Sequence, residues 1–598
     1  MIRKDTVIRG GKTKTHIRVV EGYRPGPGEP TKQRTIKSFG YLEEQTDLEA
    51  FMAEVERFNS TYKEANHPLR IEAEGTARMY GEGNRKYNYG YKFLEAVYNA
   101  LDIDSFFDAN MKATGFCGKY SPADIFKFLV ILRILNPDSK RATFQLKSGY
   151  YGMETDFTLP DVYRALEKFA RLEVELQRHL NFQIKKTIGR DLSHAFYDVT
   201  NYYFEIDFPD GEDDLRKRGV SKEHRVDPIA AMGLFMDGNG LPVAMSIFPG
   251  NTSDSLTLQP TMKDIKKSYS LGRLVVVADK GMNSSKNIDA LVNAGYGFVF
   301  SQILRGKKGQ RYHKELFSEN GWVSNEDETH RHKLFEEEYK GEDKDGKKVI
   351  RKRNVLLYWN KAEAEMAKRK REEKLEKAAR AAKNNAYGIK KGGDEYTKVE
   401  VVDKGSGEVL DNITSVKSVD LEKAENDARF DGYFCIVTSE LDYDERKIRQ
   451  VYGGLWKIEQ SFRIMKSDLY ARPVFVKKNE HIRAHFLICF VALLIIRFIQ
   501  HRMGKGALSA ERIAKALNAA NCRIHKGGIV QLDDVGGAIA FKQTVNRNGG
   551  LVDTLQYSNE DEIAMDYKKI QELFGTDCYN VYHKLEVFNK FLNHIVVT

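Results

Sequence analysis

The stretch "HAFYDVTNYYFE", His194–Glu205, decides how the chain is read. Phe196, Tyr197, Tyr202, Tyr203 and Phe204 favour a pleated, half-buried surface, so the segment reads as a strand. Asp198 stands at its centre. Aspartate is a poor strand former, and an unpaired buried charge is costly. The carboxylate therefore needs compensation from elsewhere in the chain.

Downstream, "PIAAMGLFM", the turn "DGNG" at 237–240 and "LPVAMSIF" predict a hairpin, with Gly and Asn supplying positive φ. A helix from about Ser255 to Lys267 leads to "RLVVVADKG". Its run Val275–Ala278 is apolar throughout, as in a strand covered on both faces, and ends at Asp279. A short helix, "SSKNIDALVNAG", and the strand "GFVFS" follow. Three strands in antiparallel succession, then parallel strands joined by helices, describe a ribonuclease H-like sheet. Asp198 on the first strand and Asp279 at the end of the fourth occupy its two acidic places.

The α/β pattern lapses from about 305 to 430. "HKLFEEEYKGEDKDGKKVIRKRNVLLYWN" reads as charged β hairpins, and "KAEAEMAKRKREEKLEKAARAAKNNA" as a charged helix, either solvated or touching DNA. The pattern resumes with the strand "DGYFCIVTS" and the helical "DERKIRQVYGGLWKIEQSFRIMKSDLY". There Trp456, Ile458 and Phe462 predict a buried face around Glu459. Tyr452, Glu459 and Lys466, seven and seven apart, share one stripe if the helix continues through Gly453-Gly454. Three convergent carboxylates would repel one another without cations. Two Mg²⁺ ions ~3.5–4 Å apart would resolve that and activate a hydroxyl for attack on phosphorus.

Upstream, "HIRVVEGY" and "QRTIKSFGYL" read as strands separated by "RPGPGEP", followed by a polar helix near Leu48–Ala65. From about 90 to 190 the pattern is helical. In "SPADIFKFLVILRIL", Ser121 caps, Pro122 suits the first helical position and Asp124 the first turn. This block is either a DNA-binding module or scaffold.

With 598 residues the chain is too long for one ordinary domain. Its net charge of +10, from 95 basic and 85 acidic residues, suits a polyanionic partner. Cys117, Cys435, Cys489, Cys522 and Cys578 are few and scattered without a CxxC pair, which argues against a disulfide framework or zinc site and fits a reducing cytoplasm. The N-terminus lacks a signal-peptide stretch. "FLICFVALLII", Phe486–Ile496, is well short of the ~20 residues that span a bilayer, so a buried helix is expected and no membrane.

At these residues the chain resembles bacterial insertion-sequence transposases of the DDE class, and more narrowly the insertion-sequence-four superfamily with its Y-x2-R-x3-E-x6-K signature. Here that stretch is "YGGLWKIEQSFRIMK": Tyr452, Glu459 and Lys466 match, while Leu455 stands at the arginine position. "YDVTNYYFE", "PGNTSD" at 249–254, "VVVADKGMNS" and "ARPVFVKKNEHIRAHFLICFVALLI" add to the likeness, which covers about 190–500 well and the first 190 residues more loosely.

The resemblance implies a multidomain α+β chain: an N-terminal β-rich region with a helix (1–75), a helical DNA-binding region (76–190), a ribonuclease H-like core in two parts (191–304 and 431–505), a β-rich insertion (305–430) and a C-terminal region (506–598). It implies metal-dependent cleavage at transposon ends and strand transfer into target DNA. Asp198, Asp279 and Glu459 would hold two Mg²⁺ ions, with Mn²⁺ able to substitute. Tyr452 and Lys466 would position end phosphates, Arg463 would replace the missing arginine, and Lys280 and Thr200 would assist. The insertion's Trp322 and Trp359 either pack in a core or stack on an extruded base. The expected partners are double-stranded DNA (terminal inverted repeats and target) and a second copy of the chain on paired ends, in the cytoplasm on the nucleoid. Two alternatives stay open: a ribonuclease H-like nuclease without strand transfer, and a catalytically silent, domesticated DNA-binding protein.

Overall fold

The computed structural model describes residues 1–9, 12–23, 32–45, 47–66, 85–205, 211, 214–220, 222, 226–268, 272–383, 395–401, 415–525, 527–535, 540–545, 551–556, 562–576, 578 and 580–597. The Gly/Pro-rich turn at 24–30 and the expected border at 75/76 lie outside the described residues.

The chain divides into two units, one comprising Met1–Lys86, Cys522–Asp533 and Cys578–Leu592. In it, strands Ile2–Arg9, Lys12–Tyr23 and Lys32–Tyr41 form an antiparallel sheet. Ile17 and Val19 pack on Phe51 and Val55 of the helix Leu48–Asn66. Asn521–His525, Ile529–Leu532 and Tyr582–Lys584 make further antiparallel pairs.

The larger unit contains a nine-stranded sheet. In chain order its strands are β1 (His194–Tyr203), β2 (Ile229–Met236), β3 (Pro242–Pro249), β4 (Val275–Ala278), β5 (Gly297–Ser301), β6 (Val323–Ser324), β7 (His330–Glu342), β8 (Lys348–Asn360) and β9 (Tyr433–Thr438). Across the sheet the order is β6-β7-β8-β9-β5-β4-β1-β2-β3. β1, β2 and β3 run antiparallel in succession, whereas β1, β4 and β5 are mutually parallel. These are the order and directions read from the sequence. The hairpin of β7 and β8 continues the same sheet, because β8 pairs with β9 and β9 with β5, all antiparallel.

Strand alternation gives the sheet two unlike faces. Tyr197 and Val199 of β1, Val276 of β4 and Phe298 of β5 point to the face covered by helices α1 (Leu258–Ser268) and α2 (Ser285–Asn293). There the Tyr197 hydroxyl donates to Thr257 Oγ1 at 2.8 Å. Phe196, Asp198, Thr200 and Tyr202 point to the other face. It is covered by α3 (Glu445–Gly453), α4 (Trp456–Arg463) and α5 (Asn479–Met503), with Tyr202 packed on Phe486 at a ring separation of 4.8 Å. By length and composition α5 could cross a membrane, but 89% of its most apolar window is buried inside the protein. The expected turn between β2 and β3 holds, with one correction. Only Gly240 has a positive φ, 82°, and Asn239 does not. Asp237 instead orders the loop, accepting from the Asn239 and Leu241 amides and pairing with buried Arg190 at 2.9 Å.

The helical stretch folds as anticipated. Helix Pro122–Leu135 is capped by Ser121, which accepts from the Asp124 amide at 3.1 Å. "LPDVYRALEKFARLEVELQRHLNFQIKK" forms two helices, Leu159–Arg171 and Glu173–Thr187. All five cysteines are free.

Candidate active site

Register brings the two aspartates together. β1 and β4 are parallel with Tyr197 opposite Ala278, so the next step along both strands sets Asp198 beside Asp279. β4 and β5 are parallel with Ala278 opposite Phe300, which sets Ser301 beside Asp279. Side chains at one level of neighbouring parallel strands share a face, with the strands ~4.8 Å apart. Asp198, Asp279 and Ser301 thus form a row across three strands. Ser301 Oγ donates to Asp279 Oδ1 at 2.7 Å.

α3 lays Tyr452 over this row, its hydroxyl 3.4 Å from the same Asp279 oxygen. Burial pushes the Tyr452 phenol up to about 12; Ser301's hydrogen bond opposes the rise, and Asp279 and Glu459 add to it. Asp198 is half-buried and accepts from the Val199 amide at 2.7 Å. Burial lifts its pKa to about 6, Lys222 and that amide pull the other way, and Asp254 and Asp279 push it further up. Burial brings Lys466 down to about 8, helped by the charge of Lys222 and opposed by that of Asp198.

The stripe predicted for Tyr452, Glu459 and Lys466 is broken into three pieces. Tyr452 ends α3, Glu459 is exposed on α4, and Lys466 lies in a π-helical turn, Ile464–Asp468. At the first junction the chain passes close to β1: a Cβ on Gly454 would stand 2.3 Å from Phe196 Cζ, so only glycine fits there. The expectation that Trp456 shares a buried face with Ile458 and Phe462 is wrong. Trp456 is 57% exposed; the buried positions are Leu455, Ile458, Phe462 and Met465, one helical stripe that excludes 456. Leu455, at the signature's arginine position, is therefore a packing residue. Arg497 of α5 holds α4 in place, donating to Ser461 Oγ at 2.7 Å and to the Lys457 carbonyl at 3.2 Å.

Arg463 is exposed, and the charges it acts on are Asp468 and Arg497. Lys280 is exposed in the 3₁₀ turn directly after Asp279. Thr200 is 5% exposed. Trp322 and Trp359 are half-buried, and Trp322 packs on the core of the sheet. Their indole N–H groups donate to the Ser318 and Asp431 carbonyls, and the Arg331 guanidinium lies 4.9 and 5.5 Å from the two rings. Three residues beside the acids were not singled out by the sequence reading. Ser301 was legible as a polar end to an apolar parallel strand, and Asp254 ends the quoted "PGNTSD". Lys222 carries no periodic or motif signal.

The donors here are carboxylate oxygens flanked by hydroxyls, a hard set that suits Mg²⁺ or Mn²⁺ rather than zinc. A carboxylate lifted by burial and by two neighbouring acids has the charge deficit that a divalent ion relieves. The set fits such an ion in chemistry but is not gathered into a finished cage. Among the described residues no trio of His, Cys, Asp or Glu is close enough to hold a metal, and Glu459 is linked to the aspartates through Tyr452.

Two family models match this chain. A transposase DDE domain matches residues 211–495, and the N-terminal domain of the IS1634 transposase family matches residues 2–66. The first spans Asp279 and Glu459 and begins just after Asp198. The chain is a DDE transposase of the bacterial insertion-sequence kind, an enzyme of DNA transposition. Its class is generally dependent on divalent metal. No curated protein matches its sequence. Among solved structures it is similar to a piggyBac transposase synaptic complex with hairpin DNA, at 11% identity over 72% of this chain and 78% of that one, TM-score 0.31. It is also similar to a Mos1 transposase paired-end complex with left transposon end, at 9% identity over 43% and 69%, TM-score 0.14. Likenesses this loose fix no detail of the site.

Proposed function

We propose that β1 to β5 with α1 to α5 form a ribonuclease H-like core in which Asp198, Asp279 and Glu459 hold two Mg²⁺ ions, with Mn²⁺ able to replace them. The observation that carries this reading is the in-register row of Asp198, Asp279 and Ser301 under Tyr452. Bound there, the ions would supply a nucleophilic hydroxyl and neutralise charge on the phosphate under attack. The chain's own groups do the rest. Ser301 and Tyr452 fix the Asp279 carboxylate, and the Val199 amide fixes that of Asp198. Tyr452 and Lys466 orient the end phosphates without reading sequence, while Lys280 and Arg463 are exposed to DNA at either side. Glu459, on α4, would complete the set with the two aspartates. Residues 1–75 and 76–190 serve DNA binding, 305–430 is an insertion that extends the core sheet, and 506–598 is a separate C-terminal region. Joining two element ends calls for a dimer, acting in the cytoplasm on the nucleoid.

The test incubates the full chain with Mg²⁺ and a DNA fragment bearing the inverted repeats that flank its reading frame. Asp198→Asn, Asp279→Asn and Glu459→Gln are each expected to lower cleavage by at least ~10³-fold while DNA binding persists. Cleavage by Asp198→Asn at the wild-type rate overturns the assignment. Cut ends that never join target DNA would favour the plain nuclease instead.

A further inference from the structure

The acid row has a flank whose chemistry the triad does not use. Lys222 lies against β1, its Nζ donating to the carbonyl of Val199, the residue next to Asp198. The same ammonium is 3.3 Å from an Asp254 carboxylate oxygen, with 41% of the lysine side chain and 36% of the aspartate side chain exposed. The segment carrying it is tied down two residues earlier, where Asn201 Nδ2 donates to the Val220 carbonyl at 2.9 Å. Val220 itself is 92% exposed, so this flank is open. The charge of Lys222 bears on Asp198, and the Lys466 ammonium lies 5.8 Å from the ring centre of Tyr202, on the face of β1 that carries Asp198.

A DNA phosphate approaching Asp198 meets the negative charge of Asp254, Asp279 and Glu459 as well. It needs cations placed before it arrives. Lysine is a compact charge on a flexible stem, and an exposed lysine–aspartate pair is weak and exchangeable. We propose that Lys222 and Lys466 form a phosphate clamp beside Asp198, and that Asp254 is the positioning residue that holds Lys222 ready until a DNA phosphate replaces it. The proposal rests on Asp198 being an acid of the cleavage site. It adds a contact from a part of the chain far from the Tyr452–Lys466 segment.

The experiment measures binding of the full chain to the same end-bearing DNA over a salt series, and cleavage in Mg²⁺. Each phosphate contact contributes a slope of about 0.9 to log K against log salt. Lys222→Ala is expected to flatten the slope by about that amount and to slow cleavage by at least ~10-fold. Lys222→Arg, which keeps the charge, should restore the slope, and Asp254→Asn should leave it unchanged. A wild-type slope for Lys222→Ala overturns the clamp. Asp254→Asn with both slope and cleavage at wild-type values would overturn its positioning role. Wild-type cleavage by Asp198→Asn would instead sink the reading of the acids, whatever the slopes.

Discussion

The parallel part of the sheet and its antiparallel extension obey different rules. In β4 and β5 nearly every side chain is buried, and the strands end on polar residues that face one another, Asp279 beside Ser301. In the hairpin of β7 and β8, burial alternates along β7 and the far end is open, with Ile350 70% exposed. Ion pairs such as Lys352–Glu336, 2.7 Å apart with both partners largely exposed, line its outer face. Buried parallel strands accept no slack, and their ends fix chemistry in place. An antiparallel hairpin with one wet face tolerates exchange and fixes only an outline.

The largest test of that contrast is at Gly454. Valine there would push into Phe196, which is 3% exposed and cannot yield. Gly454→Val is expected to lower unfolding free energy by about 3 kcal/mol, measured by denaturant titration, and pairing it with Phe196→Leu should recover part of the loss. Full stability in the single variant would mean that β1 and α4 are not tightly apposed.

A smaller effect follows from Asp198. Its folded pKa of about 6 lies above the ordinary 3.8, so the folded state binds this proton first. In metal-free protein its contribution to stability is fully present below pH ~4 and is lost as pH rises through about 6, with roughly 2 kcal/mol of the loss falling between pH 4 and 7. Asp198→Asn should remove that slope, and thermal melts from pH 4 to 7 in a chelator read it. Parallel pH profiles for the two proteins would show the carboxylate to be solvated.

The smallest effect belongs to the extension. Glu336→Gln should change stability by less than about 0.5 kcal/mol and leave DNA cleavage as it was. A loss above 2 kcal/mol would give the hairpin the intolerance of the parallel strands.

Much of this was legible before the fold was known. The apolar run Val275–Ala278 and the alternation in β1 gave strand order and direction, because a strand's faces are written in its own residues. Through the ribonuclease H-like order they suggested, Asp198 was assigned to the first strand and Asp279 to the end of the fourth. The rest depended on contacts distant in sequence. That β8 would pair with β9 required two segments some seventy residues apart to meet. The exposure of Trp456 and the burial of Leu455 followed from which side of the segment turns to the sheet, where Gly454 passes close to Phe196 on another element. Lys222 is invisible to any periodicity, since its place is set by a carbonyl on β1 and a carboxylate before α1.

The long buried helix α5 has a consequence for synthesis. It is one of the last pieces of the core to emerge, and it closes the sheet face that carries Asp198, with Phe486 against Tyr202. A chain halted before Glu459 and α5 keeps both aspartates yet lacks Glu459, the Arg497 brace and the cover over the strand. Such a fragment leaves the apolar face of β1 around Tyr202 uncovered, a surface that favours association over folding.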